Sequence, residues 1–127
     1  MIRGVGVDLV RIERVELSLA RFGERLLQRV LGEAERGFCL QRKRLAEQIA
    51  VRFAAKEAFM KAVGLGLSGG LRWRDIEVIP DERGAPVMRL SGRAAELCRD
   101  RGATPYVSLA HEAGLAMATV VLDGEGR

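Results

Sequence analysis

Glu57 and Lys61 place a carboxylate and an ammonium four residues apart in the stretch Arg52 Phe53 Ala54 Ala55 Lys56 Glu57 Ala58 Phe59 Met60 Lys61 Ala62. On a helix, Phe53, Glu57, Lys61 and Gly64 share one side, so charge lies beside core residues. One reading is an intrahelical pair, worth only about 0.2 to 0.5 kcal/mol on an exposed surface. Asp8 favours another. It lies on the same strand face as Gly4 and Gly6, pointing into a space that those glycines leave open, and a carboxylate there is costly unless its charge is compensated. A cation could do this: Mg²⁺ is commonly held by one or two carboxylates, with substrate phosphates and waters completing its octahedron. Asp8 and Glu57 would suffice. The competing reading of Asp8 is a structural hydrogen bond to nearby backbone.

His111 is the only histidine, at the end of an apolar run and followed by Glu112. The run Gly64 Leu65 Gly66 Leu67 Ser68 Gly69 Gly70 follows a helix instead of preceding one. The macrodipole there is negative, so the run is a helix stop and flexible loop, not a phosphate cradle of the Walker kind. Arg14, Arg21, Arg25 and Arg29 form a basic stripe beside Phe22 and Leu26. It reads either as a solvated helix face or as a docking surface in which arginines meet carboxylates and the apolar residues act as anchors.

The elements that must position these groups can be read from periodicity. Residues 2–12 read as a strand, with Ile2, Gly4, Gly6, Asp8 and Val10 on one face and Val5, Val7 and Leu9 on the other. Helical spacing runs from Glu13 to about Leu31, with Val15, Leu19, Phe22, Leu26 and Val30 on one arc and a possible break at Gly23. A short charged stretch leads to a long alanine-rich helix, about residues 44–63, ending at Gly64. Residues 76–79 and 87–90 form a hairpin across Asp81 to Gly84, with Pro86 favouring an edge. A helix over 93–101 stops at Gly102, and runs 106–111 and 115–122 form a second hairpin. This order predicts an α+β domain with a largely antiparallel sheet packed with helices around one long central helix.

The 127 residues, 48% of them apolar, allow one substantial core, so residues 1–127 read as a single domain. The 21 Lys and Arg against 17 Asp and Glu leave +4, a balance that suits an acidic partner without demanding nucleic acid. Cys39 and Cys98 have no CxxC spacing and read as buried thiols, not as zinc ligands or a disulfide framework. No signal-peptide pattern or membrane-length apolar run occurs, so the expected setting is soluble, reducing and cytoplasmic, with no membrane partner.

Taken in order, these stretches resemble the bacterial holo-acyl-carrier-protein synthase family of phosphopantetheinyl transferases. The resemblance rests on Gly4 Val5 Gly6 Val7 Asp8 Leu9 Val10 with Ile12, Glu13 and Arg14, and on Phe53 Ala54 Ala55 Lys56 Glu57 Ala58 with Lys61. Asp75 Ile76 Glu77 Val78, Gly84 Ala85 Pro86, Val107 Ser108 Leu109 Ala110 His111 and Ala116 to Val121 complete it. It implies transfer of the phosphopantetheine group of coenzyme A to a serine of an acyl carrier protein in fatty-acid biosynthesis, leaving adenosine 3',5'-bisphosphate. It also implies a homotrimer with coenzyme A in clefts between subunits.

By the same resemblance, Asp8 and Glu57 would hold Mg²⁺ against the diphosphate, Lys61 would meet phosphate oxygens and Gly64 would allow close approach. Ser108 and His111 would line the nucleotide part of the cleft, with His111 a further candidate base. Arg14, Arg21 and Arg25 would receive the acidic helix of the carrier. Ala110 departs from the family pattern, standing where a second serine is usual, and residues 32–43 match poorly. Rival readings are a small basic nucleic-acid-binding module, a related Mg²⁺-dependent enzyme acting on another diphosphate, and a non-catalytic scaffold. The scarcity of aromatics for base stacking weighs against the first.

Overall fold

The computed structural model describes residues 1–125. The long helix α4 (Leu45–Val63) is its axis, with Ala50, Ala54, Ala55, Ala58 and Ala62 all buried. Alanines serve here because the helix must be approached closely from more than one side. The approach is closest along β1 (Ile2–Arg11): a Cβ on Gly4 would strike the Ala62 carbonyl, and one on Gly6 the Ala58 carbonyl. The space that the two glycines leave is therefore filled by the backbone of α4. The expectation that Asp8 faces an open gap is corrected accordingly: it lies at the edge of this contact.

β1 pairs antiparallel with β5 (Leu115–Gly124), and β5 with β4 (Ala103–Glu112), in the order β1-β5-β4. Period-two alternation turns Ala116, Ala118, Val120 and Leu122 of β5 into the core. On the outer face Val5, Val7 and Leu9 are 59%, 51% and 59% exposed, joined by Met117 and by Tyr106 at 59%. The register aligns Val5 with Val121 and Tyr106, Val7 with Thr119 and Ser108, and Leu9 with Met117 and Ala110. The result is a continuous, mostly apolar face over which none of the described residues packs.

α1 (Ile12–Phe22) and α2 (Glu24–Val30) are separated at Gly23, whose φ of +53° is hard for a residue with a Cβ. The break splits the single apolar arc: Val15, Leu27 and Val30 are buried, whereas Phe22 is exposed. The first hairpin of the chain order, β2 (Ile76–Pro80) with β3 (Pro86–Leu90), is a separate two-stranded sheet, so the antiparallel pairing is divided between two sheets. Its turn is pinned by the Asp81 carboxylate, which accepts bonds from the Arg83 and Ala85 amides. α5 (Gly92–Arg101) ends at Gly102 in the left-handed region.

The stretch expected to be an irregular charged connection contains a helix, α3 (Glu33–Leu40). Gly37, which costs a helix about 1 kcal/mol, and three charged residues hide it from periodicity. Its anchor is Glu35, fully buried, which accepts from the Gly32 and Val78 amides and from Lys56. Lys56, also fully buried on α4, donates to Glu35 Oε1 at 2.6 Å, to the Trp73 carbonyl at 3.1 Å and to the Ile76 carbonyl at 2.5 Å. Burial pushes the Glu35 carboxyl up and the Lys56 ammonium down, each opposed by the other's charge. One ion pair thus ties α3, α4 and β2 together, and no buried side-chain nitrogen or oxygen among the described residues lacks a partner.

Candidate active site

Gly4 meets α4 at Ala62 and Gly6 meets it at Ala58, so each two-residue step along β1 moves about one turn back along the helix. Asp8, two residues farther along β1, is joined to α4 by Lys61, which reaches back to it from nearer the end of the helix. Lys61 Nζ donates to Asp8 Oδ1 at 2.9 Å and to the Val7 carbonyl at 3.0 Å. The ion pair therefore runs between helix and strand, and the intrahelical Glu57 to Lys61 bridge does not form. Asp8 is mostly buried, with 18% of its side chain exposed, and Lys61 reaches it from the solvent side.

Glu57, half-buried, has a different partner: Trp73 Nε1 donates to its Oε2 at 2.8 Å. Trp73 opens a 3-10 turn (Trp73–Asp75) after the glycine-rich run, and the position of that turn is set by the Lys56 bond to its carbonyl. Gly64 ends α4 in the left-handed region, with φ +78°, and nothing stands where its Cβ would be. Glu57, Lys61, Gly64, Leu65, Leu67 and Trp73 line an open hollow of about 490 Å³. The expected helix stop is confirmed, and the run beyond it contains a further 3-10 turn (Leu67–Gly69).

Two of these residues carry oxygens of the kind a hard cation takes. Asp8 Oδ2 and Glu57 Oε1 make no hydrogen bond within the described residues, and both are oxygen donors of the kind Mg²⁺ takes. No group of three or more His, Cys, Asp or Glu side chains able to hold a metal occurs among the described residues, so the pair would need oxygens from a ligand to complete a shell.

Ser108 and His111 are not part of this cluster. Ser108 lies on the outer sheet face, level with Val7, whereas His111 extends past the other face with Nδ1 3.5 Å from Glu47 Oε1, in the first turn of α4. Ten residues of helix separate Glu47 from Glu57, about 15 Å along the axis. Ser108 and His111 instead line a second hollow of about 410 Å³, with Phe38, Arg42, Arg52 and Pro86.

Arg14, Arg21, Arg25 and Arg29 are all exposed. Arg21 and Arg25 lie over the Phe22 ring at 5.1 and 5.6 Å, while Arg29 turns to the Trp73 ring at 5.5 Å. Phe22, Arg25, Leu26, Arg29, Phe53 and Trp73 line a groove of about 450 Å³, basic at its rim and apolar within. Sequence reasoning overlooked Trp73 and the Lys56 to Glu35 pair. The signal for the former was that it is the chain's only tryptophan. For the latter it was a lysine on the apolar side of a helix.

Residues 4–120 match the model of the 4'-phosphopantetheinyl transferase superfamily. The holo-[acyl-carrier-protein] synthase of Syntrophotalea carbinolica is 47% identical over 122 residues, 95% of each chain. Among solved structures, the synthase from Neisseria meningitidis superposes with a TM-score of 0.89 at 33% identity, covering 97% of this chain and 99% of that one. The synthase from Bacillus anthracis, solved in complex with coenzyme A (3',5'-ADP), gives 0.82 at 37% identity, covering 98% and 99%. On its length, residues and fold together, the chain belongs to the holo-[acyl-carrier-protein] synthase family of the 4'-phosphopantetheinyl transferase superfamily.

Proposed function

We infer that the chain transfers phosphopantetheine from coenzyme A to a serine of apo acyl carrier protein, as one catalytic domain that uses Asp8 and Glu57 to hold Mg²⁺. The observation that carries this is Lys61, which binds Asp8 and lines, with Glu57, the hollow beside the bare backbone at Gly64, all on residues that match the family's motifs. Bound Mg²⁺ would offset the negative charge of the diphosphate and polarise the phosphorus under attack. Lys61 moves from Asp8 to the phosphate oxygens, its exposed and flexible side chain making that exchange cheap. Gly64 lets the ligand pass close to the end of α4. The serine oxygen forms a bond to the phosphorus bearing pantetheine, and the bridging bond to adenosine 3',5'-bisphosphate breaks. A base must take the serine proton, and either Glu57 acting through an intervening water or the water itself would serve.

His111 sits beside Glu47, a residue about 15 Å along α4 from Glu57, and Ser108 lines the same hollow as His111; this separation supports a cleft completed by a neighbouring copy. The apolar outer face of β1-β5-β4 is the surface for that assembly, which we read as a homotrimer. In it, Ser108 and His111 of one copy would face the nucleotide while the partner copy supplies the carboxylates; His111 is then a binding group first and a base only secondarily. Arg14, Arg21 and Arg25 with the Phe22 groove suit an acidic helix with apolar anchors, the chemistry of a carrier protein. No helix among the described residues is long and apolar enough to cross a membrane. Cys39 and Cys98 are free and buried, burial pushing the Cys39 thiol up to about 11, and we read the setting as a reducing cytoplasm, where unpaired thiols are usual.

The test is intact-protein mass spectrometry of apo acyl carrier protein incubated with the chain, coenzyme A and Mg²⁺, beside EDTA and Asp8→Ala controls. A phosphopantetheine mass gain lost in both controls is expected. A fully active Asp8→Ala chain would remove the metal pair.

A further inference from the structure

Trp73 is held from three directions. Its carbonyl accepts from buried Lys56, its indole N–H donates to Glu57 Oε2 at 2.8 Å, and its ring packs against Phe53, with centroids 5.3 Å apart, under the Arg29 guanidinium. It also lines both the hollow that contains Glu57 and Lys61 and the basic groove of Phe22 and Arg25, making it the wall between them. An indole N–H can only donate, so the bond serves a carboxylate and leaves the other oxygen, Oε1, to face a ligand. A Glu side chain on a helix surface otherwise samples several rotamers, and each one lost before binding lowers the cost of binding.

We propose that Trp73 is a positioning residue: it fixes the Glu57 carboxylate through its indole N–H and so presets the site for a divalent cation. This rests on the reading of Glu57 as a metal carboxylate. Partners that orient a ligating carboxylate are typically worth about 10- to 100-fold in metal affinity or activity. Trp73→Phe removes the donor but keeps an aromatic ring against Phe53 and Arg29.

The experiment measures transfer to apo carrier as a function of Mg²⁺ for the unsubstituted chain, Trp73→Phe and Glu57→Ala. It also follows the emission of Trp73, the only tryptophan, as Mg²⁺ is added with coenzyme A present. For Trp73→Phe the half-saturating Mg²⁺ should rise about tenfold, with the melting temperature nearly unchanged. In the unsubstituted chain the emission should shift and saturate at the same Mg²⁺ concentration as turnover, and this response should vanish in Glu57→Ala. A loss of rate equal at all Mg²⁺ concentrations, or a Mg²⁺ dependence identical to the unsubstituted chain, overturns the proposal. So does an emission that ignores Mg²⁺ while turnover requires it, a result that decides the matter even if Trp73→Phe does not fold. A Glu57→Ala chain with unchanged Mg²⁺ dependence sinks the metal reading itself, and the proposal with it.

Discussion

Removing one member of the Lys56 to Glu35 pair tests the packing on which the site depends. Lys56→Met takes away three bonds at once: the carbonyls of Trp73 and Ile76 lose their donor, and Glu35 loses its counter-charge. Both side chains are fully buried, so water cannot substitute. Breaking a buried pair in this way costs about 3 to 5 kcal/mol, a large share of the roughly 5 to 15 kcal/mol that holds a domain of this kind folded. Glu35→Gln should cost a comparable amount, since it strands the ammonium. The double variant should cost less than the sum of the two by more than about 1 kcal/mol, because neither charge is then left alone.

The two single variants should also respond to pH with opposite sign. In Lys56→Met the Glu35 carboxyl, already raised above 4.5 by burial, rises further. The native state then binds more protons than the unfolded state above 4.5, so stability is lost as pH rises through the folded value and the deficit is smaller near pH 5 than near pH 8. In Glu35→Gln the Lys56 ammonium, already held below 10.5, falls further, so stability is regained as pH rises toward 10.5. Urea unfolding followed by circular dichroism at one fixed chain concentration measures both effects. Two single variants each costing under about 1 kcal/mol, or two parallel pH slopes, would refute the reasoning.

Val7→Asp puts a charge in the middle of the exposed apolar sheet face; sedimentation should show the proposed homotrimer lost and transfer falling with it, and an intact, active trimer would dismiss this face as the interface. Arg25→Glu reverses charge on the groove beside Phe22 and should raise the KM for carrier by about tenfold while leaving the KM for coenzyme A unchanged; an unchanged carrier KM would place docking elsewhere.

Much of the positioning framework was legible in the sequence because it depends on local patterns. The alternating strand of Asp8, the alanine-rich helix of Glu57 and Lys61, the stop at Gly64 and both hairpins follow from periodicity and turn chemistry. α3 did not, because Glu35 and Gly37 look unhelical until Lys56, 21 residues away, supplies the partner. Nor did the exposure of Phe22, which follows from one backbone angle at Gly23.

The chemical identity of the site belongs to the sequence: two carboxylates, one lysine and the glycines that allow a strand and a helix to touch are all there to be read. Which group meets which was decided only by tertiary structure. Lys61 pairs with Asp8 across the strand-helix contact instead of with Glu57 on its own helix, Trp73 reaches Glu57, and His111 goes to Glu47 at the far end of α4. Spacing along a chain ranks neighbours within one element. Pairing between elements depends on how closely their backbones approach, and here the absence of a Cβ at Gly4 and Gly6 sets that distance.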